Sequence, residues 1–365
     1  MSASRRLLAL SRARGLATAA SVGDTPRAAV EYCVSHVRCG AKSKWFALLF
    51  AVLRLSHSAP HRQYDYEGYL CTLALPPAAR AAGFAVRAYN IETAKVLDSA
   101  KEKPLQLMRL RWWRDALADT LPGAGQEAEA GDSGGASSRR KTAVNPAVAG
   151  HPVLRALTAA TASLASQDAA AVRACLERLT LAREADAGLE DLPPSTEALL
   201  VYAQAAGGSV LEALMHCTPG ALDDSVALDG ARTVGTAVCL AALLAGTRHH
   251  LAAGRIYLPV DIVADASLQL DSLRTQGSSD AARKAFSAVA QTAQRYLTDG
   301  RALRDRLTPP AAKVLLPATP AGLYLDALAG EGYNALADRL ARRGGVVSPT
   351  SLQVRLAWAA WRGTY

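Results

Sequence analysis

Residues 64–90 read YDYEGYLCTLALPPAARAAGFAVRAYN. From Tyr64 the patterning becomes regular, and Pro76-Pro77 stop one helix and start the next, because proline is tolerated in a helix's first turn but not inside it. That next helix runs to about Ala100, and Pro104 marks another break. Upstream, Pro26 to Arg38 opens a short helix. Downstream, Leu105 to Leu121 carries Leu107, Met108, Leu110, Trp112 and Trp113 between arginines and also reads as helical. From His151 helices follow in series, at about 151–187, 195–218, 223–253, 261–272, 279–307, 319–343 and 350–364, separated by breakers such as Pro193-Pro194, Pro219-Gly220, Gly254 and Pro309-Pro310. No strand pair with a hairpin turn competes and no internal repeat appears. The pattern predicts a single all-α domain of many helices.

Composition agrees. Of 365 residues, half are apolar but only 5% aromatic, with 20% charged, and Ala supplies much of the apolar half. Ala and Leu lose little side-chain entropy in a helix, so this balance excludes an all-β protein and global disorder. Six scattered cysteines without a C-x-x-C pair exclude a disulfide-stapled module, and the adjacent pairs His249-His250 and His216-Cys217 cannot face one metal from a helix. The longest uncharged stretch, Thr233 to Thr247, is shorter than the roughly 18 residues of a spanning helix.

The first carboxylate is Asp24, preceded by Arg5, Arg6, Arg12 and Arg14 among Leu, Ala and Ser. An acid-free, Arg-rich segment that can wind into a basic amphipathic helix predicts a mitochondrial targeting segment over 1–22. Removing these four arginines from the formal +9 leaves +5, which suits an anionic membrane surface or an acidic partner. Without a Lys/Arg cluster interleaved with aromatics, nucleic acid is not expected. The nucleotide-binding patterns G-x-G-x-x-G and G-x-x-x-x-G-K do not occur.

Four segments carry more than composition: Tyr64 to Leu70 with Leu75-Pro76-Pro77, Phe84 to Asn90, Leu107 to Arg114, and Gly254-Arg255-Ile256-Tyr257-Leu258-Pro259. In that order they resemble the squalene/phytoene synthase family, over roughly residues 64–120 and 195–365. Within it, D-Y-E-G-Y-L and the terminal Trp361-Arg362-Gly363-Thr364-Tyr365 are similar to a group of mitochondrial complex I assembly factors. The resemblance implies a single isoprenoid-synthase-like helical bundle over 23–365, with insertions at about 39–63 and 122–148. The second is Gly/Ser-rich and reads as a surface loop. The first is open to three readings: a lineage-specific insertion, a membrane-touching hairpin or a translated intron.

The synthases join two prenyl diphosphates, and ionising a diphosphate calls for Mg²⁺ held by carboxylate oxygens. The family supplies these on two Asp-rich motifs. Counting on from Arg87, the first motif's positions fall on Ala94, Lys95 and Asp98. Counting back from Gly254, the second motif's positions fall on Ala242, Gly246 and His250. An ammonium and an imidazole cannot replace carboxylates at Mg²⁺, so a scaffold without synthase catalysis, metal or cofactor is expected. Three further carboxylate pairs, Asp115/Asp119, Asp261/Asp265 and Asp98/Glu102, read as caps and solvated faces. A rival reading makes the chain an active Mg²⁺-dependent prenyltransferase with displaced ligands, in which Asp98, Asp115 and Asp119 converge.

Arg87, Arg109, Arg111, Arg114 and Arg255 either line a cavity that holds a phosphate or lipid headgroup, or bury their stems and keep their heads wet. Trp112, Trp113, Trp358 and Trp361 read as core or interface anchors. The resemblance implies action in complex I assembly, with assembly intermediates as partners and a lipid or client helix in the cleft. It also implies a place on the matrix side, peripheral to the inner membrane.

Overall fold

A computed structural model describes residues 26–38, 65–122, 150–189, 192–275, 277–340 and 347–365. The expected targeting segment and the insertion at 39–63 lie outside these, as does the 122–148 insertion beyond its first residue. The described residues are helical and contain no strand. The N-terminal half comprises α1 (Pro26–Arg38), α2 (Tyr66–Ala74), α3 (Pro77–Ser99), α4 (Lys103–Thr120), α5 (Pro152–Thr161) and α6 (Ser166–Gly188). The rest comprises α7 (Thr196–Ala203), a π-helical turn (Gln204–Gly208), α8 (Ser209–His216), α9 (Ala227–Ala245), α10 (Thr247–Ala252), α11 (Val260–Asp265), α12 (Leu270–Thr275), α13 (Asp280–Ala302), α14 (Pro309–Val314), α15 (Ala318–Gly330) and α16 (Pro349–Arg362).

Helix starts follow capping chemistry. Asp65 accepts from the Gly68 amide at 2.8 Å, Ser195 from Ala198, Ser279 from Ala282 and Ser348 from Ser351, each satisfying a donor with no intrahelical partner. Pro77 sits in the first turn of α3 as the sequence requires. Several expected long helices are broken. The 151–187 run divides at 162–165, after Thr158 and Thr161 turn their hydroxyls back onto the Leu154 and Leu157 carbonyls. The 223–253 run divides at Gly246, and the 319–343 run ends where Gly332 and Tyr333 adopt left-handed backbone (φ 58° and 59°).

The centre is built around α9, which packs against α13, α15, α8 and the π-helical turn, while α3 packs against α1, α5, α6 and α8. The segments Thr196–His216 and Ala227–Ala245 are long and apolar enough to cross a membrane. The expectation from uncharged runs missed them because a few charged side chains interrupt each. More than half of each lies inside the bundle, in keeping with core helices. Glu212 is buried on α8 and ties three helices together, accepting from Arg178 of α6 and from Arg232 Nε of α9 at 2.8 Å.

The tightest approach is between backbones. A Cβ at Gly235 of α9 would lie 2.5 Å from the Gly208 Cα and 2.6 Å from the Gly207 carbonyl oxygen, so a side chain there must push main chain apart. Gly235→Ala is therefore expected to cost about 1–3 kcal/mol, read as a lower urea midpoint. Gly188→Ala, where nothing lies within 4 Å, should leave stability unchanged or raise it. Equal effects at the two positions would contradict this packing.

Candidate functional site

A cavity of about 590 Å³ opens between α3, α6, α7, α9 and α15. One wall is the face of α3 carrying Arg87, Ala94, Lys95 and Asp98. The opposite wall carries Ala242 and Gly246 of α9, His249 and His250 of α10, and Arg255 and Tyr257 of the segment that follows. Tyr202, Arg183 and Asp186 form a third side, and Leu323, Leu340, Val347 and Leu352 add apolar lining. All six Asp-motif positions counted from the sequence thus share one cavity.

Three of its carboxylates, Asp98, Asp65 and Asp186, are engaged by cations or hydroxyls. Asp98 reaches across to the far wall, accepting from Arg255 at 2.5 Å and His249 Nε2 at 3.1 Å. Burial alone would raise its pKa, but these two partners hold it below the usual carboxylate range. Asp65, the cap of α2, pairs with Arg87 at 3.1 Å, and Arg87 also donates Nε to Thr72 at 2.9 Å. Gly68 has no side chain because these groups occupy its Cβ position. Asp186 accepts from the Tyr257 hydroxyl at 2.7 Å, and burial raises its pKa despite that bond. Glu67 is open to water in the concave wall yet crowded by protein, and desolvation with Asp65 nearby lifts it to about 7.

The donors are less completely used. Arg183 gives one N–H to Asn90 Oδ1 at 2.8 Å. Among the described residues, Arg183 Nε, Arg255 Nε, His250 Nδ1 and the Tyr324 hydroxyl are buried without a hydrogen-bond partner. Such groups incur a desolvation cost unless something bonds them, so a polar head entering the cavity would find donors waiting. His250 sits edge-on to Tyr257 at 4.7 Å, and its Nε2 fills the space of a Gly246 side chain.

Of the five arginines singled out, Arg87 and Arg255 line this cavity. The other three sit on α4 and face elsewhere. Arg109 donates to Ser99 at 2.9 Å in a separate groove, Arg111 lies along an exposed one, and Arg114 pairs with Glu184. Asp115 and Asp119 are exposed on α4 and do not join Asp98. Asp261 accepts from the Thr196 and Ile262 amides, Asp265 and Glu102 are exposed, and all three spaced pairs are caps or solvated faces apart from Asp98 itself. Trp113 is core, edge-on to Tyr89 and His151, whereas Trp358 and Trp361 are on the surface. Arg183, Asp186 and Tyr202 escaped the sequence reading. Arg183 and Asp186 fall in the stretch the family resemblance did not cover, where an Arg and an Asp three apart on a helix look like any solvated face.

An all-helical bundle closed around a cavity of mixed polar and apolar lining defines an isoprenoid-synthase type of fold. A dehydrosqualene synthase crystal structure superposes with TM-score 0.63, covering 92% of this chain and 98% of its own at 15% identity. A squalene synthase from Alicyclobacillus acidocaldarius gives 0.57, covering 87% and 98% at 20% identity. At those identities the likeness carries the fold alone. The squalene/phytoene synthase family model matches residues 61–361, and the chain belongs to that family. A Drosophila melanogaster relative named "NADH dehydrogenase (ubiquinone) complex I, assembly factor 6 homolog" is 28% identical over 306 residues, covering 81% of this chain and 80% of that protein. The Homo sapiens protein named "NADH dehydrogenase (ubiquinone) complex I, assembly factor 6" is 50% identical over 58 residues, 16% of this chain and 17% of the human one. The Bos taurus protein of the same name matches over a similar 17% of its length, at 48% identity.

Burial, with Arg255 and His249 nearby, lowers the His250 pKa from 6.5 to about 4. An unfolded chain takes up this proton below about 6.5 while the folded chain refuses it until about 4, so stability falls as pH drops through that window. His250→Phe, which keeps a ring against Tyr257, should remove up to about 2 kcal/mol of that loss in urea unfolding across the window. A pH slope unchanged by the substitution would show that His250 titrates freely.

Proposed function

We propose that this protein is a non-catalytic member of its family that acts in the assembly of respiratory complex I. We place it in the mitochondrion, on the matrix side and peripheral to the inner membrane, with complex I assembly intermediates as partners. The observation that carries the reading is the Drosophila relative, named for complex I assembly and aligned over four-fifths of both chains. The human and bovine names support it over a shorter span.

The chemistry of the cavity supports the non-catalytic part. Mg²⁺ takes near-octahedral oxygen ligands and is typically held by carboxylates that are free to bind it. At the two motif positions this chain offers Ala94, Lys95, Ala242, Gly246 and His250, and both oxygens of Asp98 are bonded to cationic or imidazole donors. Among the described residues no group of three or more His, Cys, Asp or Glu is arranged to hold a metal. This donor set does not fit Mg²⁺, and we derive no diphosphate ionisation through it. The remaining cavity, lined by unpartnered polar groups as well as leucines, suits an amphiphile such as a lipid, or the end of a client helix.

Loss of the protein from cells is expected to lower assembled complex I and NADH:quinone activity while leaving the other respiratory complexes in place, with intermediates co-purifying with the tagged chain. Normal complex I in its absence would refute the role. The opposing enzyme reading predicts Mg²⁺-dependent pyrophosphate release from farnesyl or geranylgeranyl diphosphate by the purified protein, and we expect none.

A further inference from the structure

Helix α16 has two faces of different character. Leu352, Leu356 and Ala359 point inward and pack on Cys71 of α2 and on Leu316. Ser348 caps its start and left-handed Gly363 (φ 63°) closes its end, so the helix is firmly seated. On the outer face Val354, Trp358 and Trp361 recur at positions i, i+4 and i+7, and they are 64%, 57% and 75% exposed. Two tryptophans left in water on a well-packed helix call for an explanation, since large exposed apolar patches mark interaction surfaces.

The charge around them says what covers them. Helix α16 contains no Asp or Glu and carries Arg355 and Arg362. Arg355 and Arg362 are both exposed, and the Arg362 guanidinium lies 5.2 Å from the centre of the Trp358 ring. Paired indoles with arginines beside them, on a helix with no acidic side chain of its own, match the headgroup layer of an anionic bilayer. Trp rings settle at that depth, and each basic side chain gains from the surface potential. An acidic protein surface would supply the charge but not the broad apolar layer that two neighbouring indoles, 5.1 Å apart, can enter together. Because the inner face stays packed, only side chains dip in, and the contact is shallow and salt-sensitive.

We propose that the outer face of α16, through Val354, Trp358, Trp361, Arg355 and Arg362, binds the surface of an anionic lipid bilayer. From its inner face the same helix lends Leu352 to the lining of the cavity. The inference deepens the peripheral-membrane part of the proposed function and owes nothing to the assembly role.

Flotation of the full chain with vesicles tests it. Equimolar phosphatidylcholine and phosphatidylglycerol vesicles should carry the protein up at low salt, and pure phosphatidylcholine vesicles should not. Trp358→Ser/Trp361→Ser and, separately, Arg355→Gln/Arg362→Gln should each weaken partitioning roughly tenfold or more while leaving the unfolding midpoint near that of the parent. Bound wild type should show blue-shifted tryptophan emission, and the double-serine variant should not. Flotation unchanged in both variants, equal binding to neutral vesicles, or no binding to any vesicle would overturn the proposal. A wild-type dimer that the double-serine variant converts to monomer would overturn it in favour of a second copy. Complex I levels in cells are a separate readout, so the lipid contact and the assembly role can fail independently.

Discussion

Asp98, though partly open to water, accepts from Arg255 and His249 on the opposite wall of the cavity. That contact links α3 to α10 and the segment after it, so two parts of the chain far apart in sequence are held across the cavity. Lys95, on the same face of α3, would repel an arriving divalent ion, and Gly246 leaves room only for the His250 ring.

The rest of the cavity follows the same logic. Arg87 answers Asp65, and Tyr257 answers Asp186, so these acidic side chains are spent on internal structure while Glu67 stays open to water. What remains unused is polar capacity: N–H groups of Arg183 and Arg255, a ring nitrogen of His250 and the Tyr324 hydroxyl.

Scaffold and site are under different constraints. The close contact of Gly235 with Gly207 and Gly208, the buried Glu212 held by Arg178 and Arg232, and the caps at Asp65, Ser195 and Ser279 serve the bundle itself. None of these groups is among the positions Ala94, Lys95, Asp98, Ala242 and His250 of the cavity wall. The fold persists at 15–20% identity to solved synthase structures because packing of this kind tolerates much change at other positions.

Helical class and most breaks were legible from the sequence by itself, since Ala/Leu content, Pro76-Pro77 and the capping residues act locally. That Ala94, Lys95 and Asp98 line one face was legible too, because a helix preserves spacing. Where helices break internally, as at 162–165, was not, because threonine back-bonding and left-handed backbone compete with propensity only weakly. Nor did the string of residues separate Arg87 and Arg255 from Arg109, Arg111 and Arg114, or reveal that Arg183, Asp186 and Tyr202 meet them. Which arginine turns toward a cavity depends on how helices far apart in sequence pack, and tertiary structure alone decided that Asp98 spends its charge on Arg255, 157 residues away.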